Sequence, residues 1–374
     1  MRWASTLKYI GRRLMMSIVV LFLVTVMIFA IVRLSPGDPV QSRIGPYGDY
    51  SPENIARVEQ ELGLDKPLVV QYGIWLGNCL RGDLGVSLRN GAPITDIVFD
   101  KLAVSLELIV ASVLLAAAIG IPLGIMSGIR AGSPLDQAAS VFSTGFLAMP
   151  SFCTGLLLII VFSVNLRWLP ANGYISFFDN PAQNIRYLIL PALTLGLYLT
   201  AVLTRFVRSE TMEVVGANYV RTARAKGMPT AIVNRRHILK NISTTLVTVI
   251  GIEFATLLGG TVIVEQLFGW SGLGWYICQS VSNRDYPAVQ GAVLILWGWA
   301  ALIAVGSIMT LFFKVHYVLI GFVIAVVLLT VATMYPYLKR RLPEIAAENQ
   351  SYASARRRAR HSFDESGDGK KRRP

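Results

Sequence analysis

The stretch LIVASVLLAAAIGIPLGIMSGI at residues 108–129 has 22 positions and no charged side chain. A helix needs about 20 predominantly apolar residues to cross the hydrocarbon core of a bilayer. Uncharged, largely apolar runs of similar length lie at residues 14–32, 137–166, 187–204 and 286–313. Because a backbone inside lipid must satisfy its own hydrogen bonds, these runs predict helices. The expected fold class is an all-α polytopic transmembrane bundle.

The composition and charge distribution favour a membrane protein over a soluble or nucleic-acid-binding one. Of the 374 residues, 53% are hydrophobic and 15% are charged, whereas soluble domains carry about 25% charged residues. The net charge is +13, but residues 205–240 carry eight Lys/Arg and two Glu, while residues 35–101 carry six Lys/Arg and nine Asp/Glu. An excess of Lys and Arg is typical of cytoplasmic loops. The charge therefore indicates topology, and no nucleic-acid partner is expected.

The same pattern predicts how the chain is organised in the cytoplasmic membrane. We expect a cytoplasmic N-terminal stub and first span at residues 1–34, then an extracytoplasmic cap at residues 35–103. A core at residues 104–313 is expected to contain spans two to six, and the basic residues 208–242 would form a cytoplasmic loop within it. Pro150 is expected to kink the third span, because proline removes a helical hydrogen bond.

The C-terminal region has two incompatible signals. Residues 314–338 form an extra apolar segment that is long enough to be a seventh span. Residues 339–374 form a basic tail that is expected to be disordered. The charge of the tail favours the cytoplasm, whereas a seventh span would place the tail outside, so the two topologies stay open.

Gly120, Gly124 and Gly128 recur every four residues in the second predicted span. This spacing places them on one helix face. Small residues on one face allow helix backbones to approach closely in a membrane, so these glycines are candidate helix-packing residues. The alternative is that they reflect the general frequency of glycine in membrane helices.

Residues 218–227, with the sequence NYVRTARAKG, have the features of a short helix with a defined end. Asn218 is expected to cap the N-terminus, Gly227 to end the helix in a left-handed conformation, and Pro229 to prevent its continuation. A helix of about eight residues is not stable alone in water. The segment is therefore either a docking element for a partner protein or an ordinary basic loop.

Several motifs together resemble one family. Residues 219–241 include RTARAKG at 221–227 and RHILKN at 236–241, and they resemble the cytoplasmic coupling loop of ABC importer permeases. Further motifs are PGDP at 36–39, LGLD at 62–65, RGDLG at 81–85, LPANG at 169–173, VEQLF at 264–268, GLG at 272–274 and RDYP at 284–287. Over about residues 5–300, the chain resembles the dipeptide/oligopeptide/nickel permeases of the first-subunit type.

The resemblance implies a type I ABC importer permease architecture, with the six core spans already expected and a possible extra C-terminal span. It also implies import of short peptides across the cytoplasmic membrane, together with a second homologous permease subunit and an extracytoplasmic solute-binding protein. Two separate ATP-binding subunits would bind ATP and Mg²⁺. Nickel complexes, haem and glutathione are alternative cargoes for the same machinery.

The chain itself has no features of an enzyme. It lacks the Gly-x-x-x-x-Gly-Lys-Ser/Thr phosphate loop, so ATPase activity is expected on the partner subunits. Its three histidines are scattered without metal or triad spacing. We therefore expect no catalytic residues, no metal and no cofactor in this chain. The alternative of an intramembrane enzyme or an assembly scaffold would need a set of catalytic residues or a large soluble domain, and neither is visible in the sequence.

The resemblance also assigns residues to the coupling helix. Tyr219, Arg221, Ala223, Arg224 and Gly227 would couple the chain to an ATP-binding subunit. Ala223 and Gly227 fall on the small positions of the family pattern Glu-Ala-Ala-x-x-x-Gly, and Arg221 stands where that pattern has Glu. For Arg221 and Arg224 the alternative is a solvated basic face.

Glu253 is an ionisable residue within the fifth predicted span, where charge is costly. We expect it to face the translocation pathway or a polar partner on the second permease subunit. Alternatively it is protonated and hydrogen-bonded inside the bundle, or it is the proton site of an ion-coupled carrier. Such carriers often show internal repeats, and none is visible here. The family usually has a neutral residue at this position and ends with Asp-Pro-Arg, which this chain lacks.

Four other residues receive weaker interpretations. Glu107 and Arg205 lie near the ends of predicted spans, where long side chains can reach the interface, so their expected roles are structural. Cys79 and Cys278 are both expected on the outer side, and whether they form a disulfide stays open.

Overall fold

The computed structural model describes residues 2–34, 39–44 and 48–313. Within these ranges the regular secondary structure is helical, apart from an isolated bridge between Val86 and Pro93. This confirms the predicted all-α fold class. The extended or strand-rich architectures of soluble binding domains do not occur in this part of the chain.

Three expectations concern residues outside the described ranges. Residues 36–38 of the PGDP motif lie there, and so do the extra apolar segment at 314–338 and the basic tail at 339–374. The topology of the C-terminal region therefore rests on sequence alone.

The helices of the described ranges follow in chain order. They are α1 (Arg2–Leu34), α2 (Pro39–Ile44), α3 (Pro52–Glu61), α4 (Leu68–Leu80), α5 (Ile94–Ile129), α6 (Pro134–Ala148), α7 (Ser151–Leu158), α8 (Pro181–Gly216), α9 (Asn218–Ala225), α10 (Thr230–Val233), α11 (Lys240–Phe268), α12 (Leu273–Ser282) and α13 (Tyr286–Phe313). The π-helical segment Ile159–Asn165 continues α7, and the π-helical segment Asn234–Leu239 joins α10 to α11.

Three helices of the described residues are long and apolar enough to cross a membrane, namely α5, α8 and α11 with 36, 36 and 29 residues. Helices α1 and α13 have comparable lengths of 33 and 28 residues. At 1.5 Å per residue, α5 and α8 are each about 54 Å long, against about 30 Å for the hydrocarbon core. They therefore extend beyond the bilayer. The expected boundaries at 103/104 and 207/208 fall inside these helices rather than in loops.

The predicted third span is broken rather than kinked. Helix α6 and the continuous pair of α7 and its π-helical extension differ in direction by 104°. Met149, between them, is extended with φ −90° and ψ 125°. The ring of Pro150 disfavours a helical conformation at the preceding residue, so α6 stops instead of bending.

Helices α5 and α8 form the most extensive helix contact of the described chain, and they run in parallel. A Cβ atom added to Gly120 would lie 3.0 Å from Leu203 Cβ, and one added to Gly128 would lie 2.6 Å from Thr211 Cβ. Later residues of α5 thus meet later residues of α8. A parallel pair requires the chain between the two helices to return across the bundle. The α6–α7 pair therefore crosses as one broken span.

The glycines of α5 are where the two backbones come closest. A Cβ atom on Gly124 would lie 2.7 Å from Val207 Cβ and 2.8 Å from the carbonyl oxygen of Thr204. From the other side, a Cβ atom on Gly196 would lie 2.7 Å from Leu115 Cδ2. These separations are shorter than a carbon–carbon contact of about 3.5 Å. The contact therefore depends on the absence of side chains at these positions.

Gly124→Ala tests this contact against helix propensity. Alanine is favoured over glycine inside a helix by about 1 kcal/mol. At position 124 the clash with Val207 should outweigh this gain by about 1 to 3 kcal/mol, and the melting temperature of the detergent-solubilised protein should fall. The control is Gly145→Ala in α6, where a Cβ atom meets nothing within 4 Å. The control should melt at or above the wild-type temperature, and equal melting of both variants would contradict the packing role.

Candidate functional site

The described helices define two ends of the bundle. The basic end contains the C-terminal ends of α5 and α8, the start of α6, and helix α9. The opposite end contains the start of α8 and helix α12. Helix α11 runs antiparallel to α5, because Glu265 near its C-terminus contacts Ser105 near the start of α5.

Helix α9 is terminated as the sequence predicts but begins differently. Gly227 has φ +75°, and its N–H donates to the carbonyl of Arg224 at 2.9 Å. The expected cap at Asn218 is wrong, because Asn218 is the first helical residue and Ala217 precedes it in an extended conformation without a side-chain cap. The helix thus starts one residue earlier than a capping Asn218 would require, since a cap at position 218 would make residue 219 the first helical one.

One face of α9 packs within the basic end and the other is exposed. Val220 and Ala223 are buried together with Val233, in an apolar cluster separate from the main core. Ala223 is only 6% exposed, so its side chain points into this cluster. Tyr219 is 46% exposed. Arg221, Arg224 and Lys226 are also exposed, so α9 presents an aromatic and basic surface. Packing of the inner face explains how so short a helix persists.

A partly buried ion pair fixes the helix that leads into α9. The guanidinium of Arg208 on α8 donates through Nη2 to Asp136 Oδ2 at 2.9 Å, and its Nε donates to Asp136 Oδ1. Asp136 is 3% exposed and also accepts from the N–H of Gly132 at 2.8 Å. The end of α8 is therefore clamped to the turn between α5 and α6. Sequence reasoning counted Arg208 only as a topology charge and missed this pair.

Arg208→Ala should destabilise the protein by about 1 to 3 kcal/mol, because it leaves the Asp136 carboxylate without its cation and with only the N–H of Gly132 as a donor. The measurement is thermal or denaturant unfolding in detergent. Arg205→Ala is the matched control, since Arg205 is an exposed arginine on the same helix and should change stability little. The double variant Asp136→Leu with Arg208→Leu should recover part of the loss. A double variant as unstable as the single one would argue against a charge-pairing role.

Glu265 on α11 is a fully buried carboxylate with several hydrogen-bond partners. Its Oε1 accepts from Ser105 Oγ at 2.5 Å, and its Oε2 accepts from the N–H of Trp275 at 2.8 Å. Ser105 Oγ in turn accepts from the N–H of Leu273 at 2.8 Å. We call Glu265, Ser105, Leu273 and Trp275 the Glu265 cluster. It ties α11, α5 and the first turn of α12 together at the opposite end.

The two glycines of the GLG motif make room for the Glu265 cluster. A Cβ atom on Gly272 would lie 2.5 Å from Ser105 Oγ and 2.7 Å from Glu265 Cδ. A Cβ atom on Gly274 would lie 2.7 Å from Val262 Cα. From the sequence, the VEQLF and GLG motifs are assigned by resemblance only. A buried acidic residue seven positions before a Gly-x-Gly motif is the signal that could have predicted the cluster.

Other polar contacts close the opposite end. Glu107 accepts from Asn184 Nδ2 at 2.6 Å and from Tyr174 OH at 3.3 Å, which agrees with the structural role expected for Glu107. Asp285 Oδ2 accepts from Ser87 Oγ at 2.5 Å and so attaches the segment before α5 to the start of α13. The Ser87–Asp285 bond thus holds the expected cap region onto the helical core, and the bond between Glu107 and Asn184 joins α5 to the start of α8.

The described cysteines are free thiols, including Cys79 and Cys278, so the structure contains no bridge between them. Burial, with the nearby Asp83 carboxylate as a smaller cause, raises the pKa of the Cys79 thiol to about 11. A thiol with a raised pKa is a poor nucleophile at neutral pH. Among the described residues, no group of three His, Cys, Asp or Glu could hold a metal ion.

Glu253 on α11 is half-buried and differs from the other carboxylates of the bundle. Its Oε2 atom is inaccessible to solvent and has no hydrogen-bond partner among the described residues. Tyr198 on α8 is close enough to interact with it electrostatically. Next to Glu253, exposed residues follow one side of α11 (Ile252, Thr256, Gly259, Gly260 and Ile263). Glu253 thus lies at the border of an open helix face.

Family models match most of the chain. The model described as "Binding-protein-dependent transport system inner membrane component" matches residues 120–342, and an N-terminal model of the same transport system matches residues 6–109. The chain therefore belongs to the inner membrane components of binding-protein-dependent transport systems, the permease subunits of ABC importers. This confirms the resemblance found in the sequence and the expectation of a multi-pass membrane protein.

Curated relatives carry peptide and glutathione transport names. A probable peptide ABC transporter permease of Sinorhizobium fredii is 36% identical over 79% of this chain and 94% of its own length. A putative peptide transport system permease of Brucella abortus is 40% identical over 76% of this chain and 90% of its own length. The glutathione transport system permease of Escherichia coli K12 is 37% identical over 77% of this chain and 91% of its own length.

A solved structure described as "Crystal structure of an amino acid ABC transporter with histidines" is also similar. It covers 58% of this chain and 94% of its own chain, with 18% identity and a TM-score of 0.44. A TM-score of this size supports no conclusion about the present chain.

Proposed function

We propose that this permease subunit imports short peptides, that its basic end lies in the cytoplasm, and that α9 docks on separate ATP-binding subunits. The peptide cargo is supported by the names of relatives at 36% and 40% identity. Glutathione is a second candidate cargo, because a glutathione transport system permease is 37% identical to this chain. The cytoplasmic assignment of the basic end follows from its excess of Lys and Arg, and the four Lys/Arg among residues 1–13 support the same side for the N-terminus.

The observation that carries the coupling proposal is the two-sided character of α9. Val220 and Ala223 anchor the helix, while Tyr219, Arg221 and Arg224 face outward. Buried aromatic and arginine side chains are the residue types that dominate protein interfaces. We assign Ala223 to the anchoring cluster and Gly227 to the end of the helix, and assign docking contact to the three outward side chains.

Motion of α9 would reach the bundle through contacts already described. The apolar cluster under α9 includes Val214 near the end of α8. Six residues before Val214 on the same helix, Arg208 is bound to Asp136 at the start of α6. A force on α9 would therefore pull on α8 and on the broken α6–α7 span together. Two ATP-binding subunits, a second permease subunit and an extracytoplasmic solute-binding protein complete the proposed assembly.

Charge reversal on the outward face should disrupt docking. We expect Arg221→Glu together with Arg224→Glu to reduce the ATP-binding subunits that copurify with the tagged chain at least about tenfold, because like charges at an interface cost several kcal/mol. Arg130→Glu is the control, as Arg130 is an exposed arginine of the basic end outside α9. Quantitative mass spectrometry of the purified complexes gives the result. Wild-type amounts of ATP-binding subunits with both reversed charges would refute α9 docking.

Glu253 is proposed to line the translocation pathway along the open face of α11. A carboxylate there would attract the N-terminal ammonium of a peptide, an interaction strengthened by exclusion of water. Its inaccessible and unpaired Oε2 atom fits a group whose partner arrives with the cargo or the second subunit. The ion-coupled carrier alternative would use the same carboxylate as a proton site.

Glu253→Gln should lower kcat/KM for transport of a free short peptide about tenfold in proteoliposomes containing the whole complex. An N-acetylated peptide, which lacks the ammonium group, should be affected much less. Glu213→Gln, the same substitution at an exposed position of the basic end, serves as control. An equal fall in kcat/KM for the free and the N-acetylated peptide would contradict a role of Glu253 in binding the ammonium group. Transport driven by a proton gradient without ATP would support the carrier alternative.

A further inference from the structure

A pocket at the opposite end of the bundle is not used by the proposed function. It lies between the π-helical extension of α7, the turn that follows it, and the first turns of α8, with a volume of about 380 Å³. Its polar lining includes Arg167, Arg186, Gln183 and Ser163. Of the eight described lining residues, none is acidic, so its two guanidinium groups have no carboxylate within the pocket.

The backbone brings the two arginines together. Arg167 has φ +55°, a left-handed conformation that is uncommon for residues other than glycine. The turn is held by the N–H of Trp168, which donates to the carbonyl of Phe162 at 2.9 Å. Arg186 Nη2 donates to the carbonyl of Trp168 at 3.4 Å. Backbone strain of this kind persists where the surrounding structure requires it, often at binding sites.

Beside the pocket, α7 and its extension expose a continuous apolar surface. Leu157, Ile160, Val161 and Val164 are between 42% and 60% exposed. Trp168 lines the pocket next to this surface and is 62% exposed. Tryptophan is enriched where a membrane helix leaves the hydrocarbon and enters the headgroup region. The pocket therefore opens at the level expected for lipid headgroups, and the apolar surface lies where acyl chains run.

We propose that Arg167 and Arg186 bind the phosphodiester of an anionic phospholipid, whose acyl chains lie along α7. Arginine pairs bidentately with phosphate, and hydroxyl and amide donors such as Ser163 and Gln183 can complete the contact. Two cations without a lining carboxylate favour a headgroup that carries net negative charge over a zwitterionic one. A soluble phosphate would use the same donors but would leave the adjoining apolar surface uncovered. A bound lipid would brace the broken span against the start of α8.

The test measures lipid retention by the full-length chain in mild detergent with native mass spectrometry. Phosphatidylglycerol and phosphatidylcholine are titrated separately against wild type, Arg167→Gln and Arg186→Gln. The control is Arg284→Gln, because Arg284 is the other described arginine with positive φ, at +54°, and it does not line the pocket. Size-exclusion profiles verify folding, and Arg186→Gln alone decides the test if the variant at position 167 aggregates.

We expect the phosphatidylglycerol dissociation constant to rise about tenfold in each pocket variant and to stay unchanged in the control, since each loses a charge-assisted hydrogen bond. Phosphatidylcholine should bind more weakly and respond less to either substitution. Equal phosphatidylglycerol affinity in all four proteins would overturn the proposal. Displacement of the lipid by millimolar glycerol phosphate would also overturn it, in favour of a soluble phosphate. Loss of solute-binding protein capture with unchanged lipid affinity would assign the pocket to that partner instead.

Discussion

Helices inside a bilayer gain little by burying apolar side chains against each other, because lipid tails are equally apolar. Close backbone approach must hold them, and the contact between α5 and α8 depends on it. Gly120, Gly124 and Gly128 on α5 leave no side chain between the two helices. A Cβ atom at Gly120 or Gly124 would lie too close to Leu203 or Val207 on α8. The parallel direction of this pair then forces α6 and α7 to return across the bundle. The elements at both ends of the described bundle are positioned relative to the α5–α8 pair.

The carboxylates of the bundle separate into two kinds. Asp136 at the basic end and Glu265 at the opposite end are buried and bind several donors, so each joins elements that are distant in sequence. Burying a carboxylate without such partners is costly. Glu253 retains an unpaired buried oxygen beside an open helix face. The first kind stabilises the scaffold on which transport depends, and the second is suited to meet a cargo or a second subunit.

The proposed coupling to ATP hydrolysis would require a small element that is exposed yet firmly held. Helix α9 has both properties, because Val220 and Val233 bury its inner side while Tyr219 and Arg221 stay outside. The Arg208–Asp136 pair then connects the helix before α9 to the broken span. The same broken span carries the arginine pocket at its other end. Force entering at the basic end and lipid bound at the opposite end would therefore act on one element.

Several features could be predicted from the sequence because they depend on neighbouring residues. Uncharged runs of about 20 residues specify membrane helices, and Gly227 followed by Pro229 specifies where α9 ends. The family motifs specified the class of transporter. The break at Pro150 was expected only as a kink, and the cap expected at Asn218 was wrong, since local propensity leaves such geometry undecided. Only the tertiary structure paired Arg208 with Asp136, 72 residues away, and Ser105 with Glu265, 160 residues away. Such pairs depend on which helix faces meet, and packing of the whole bundle decides that.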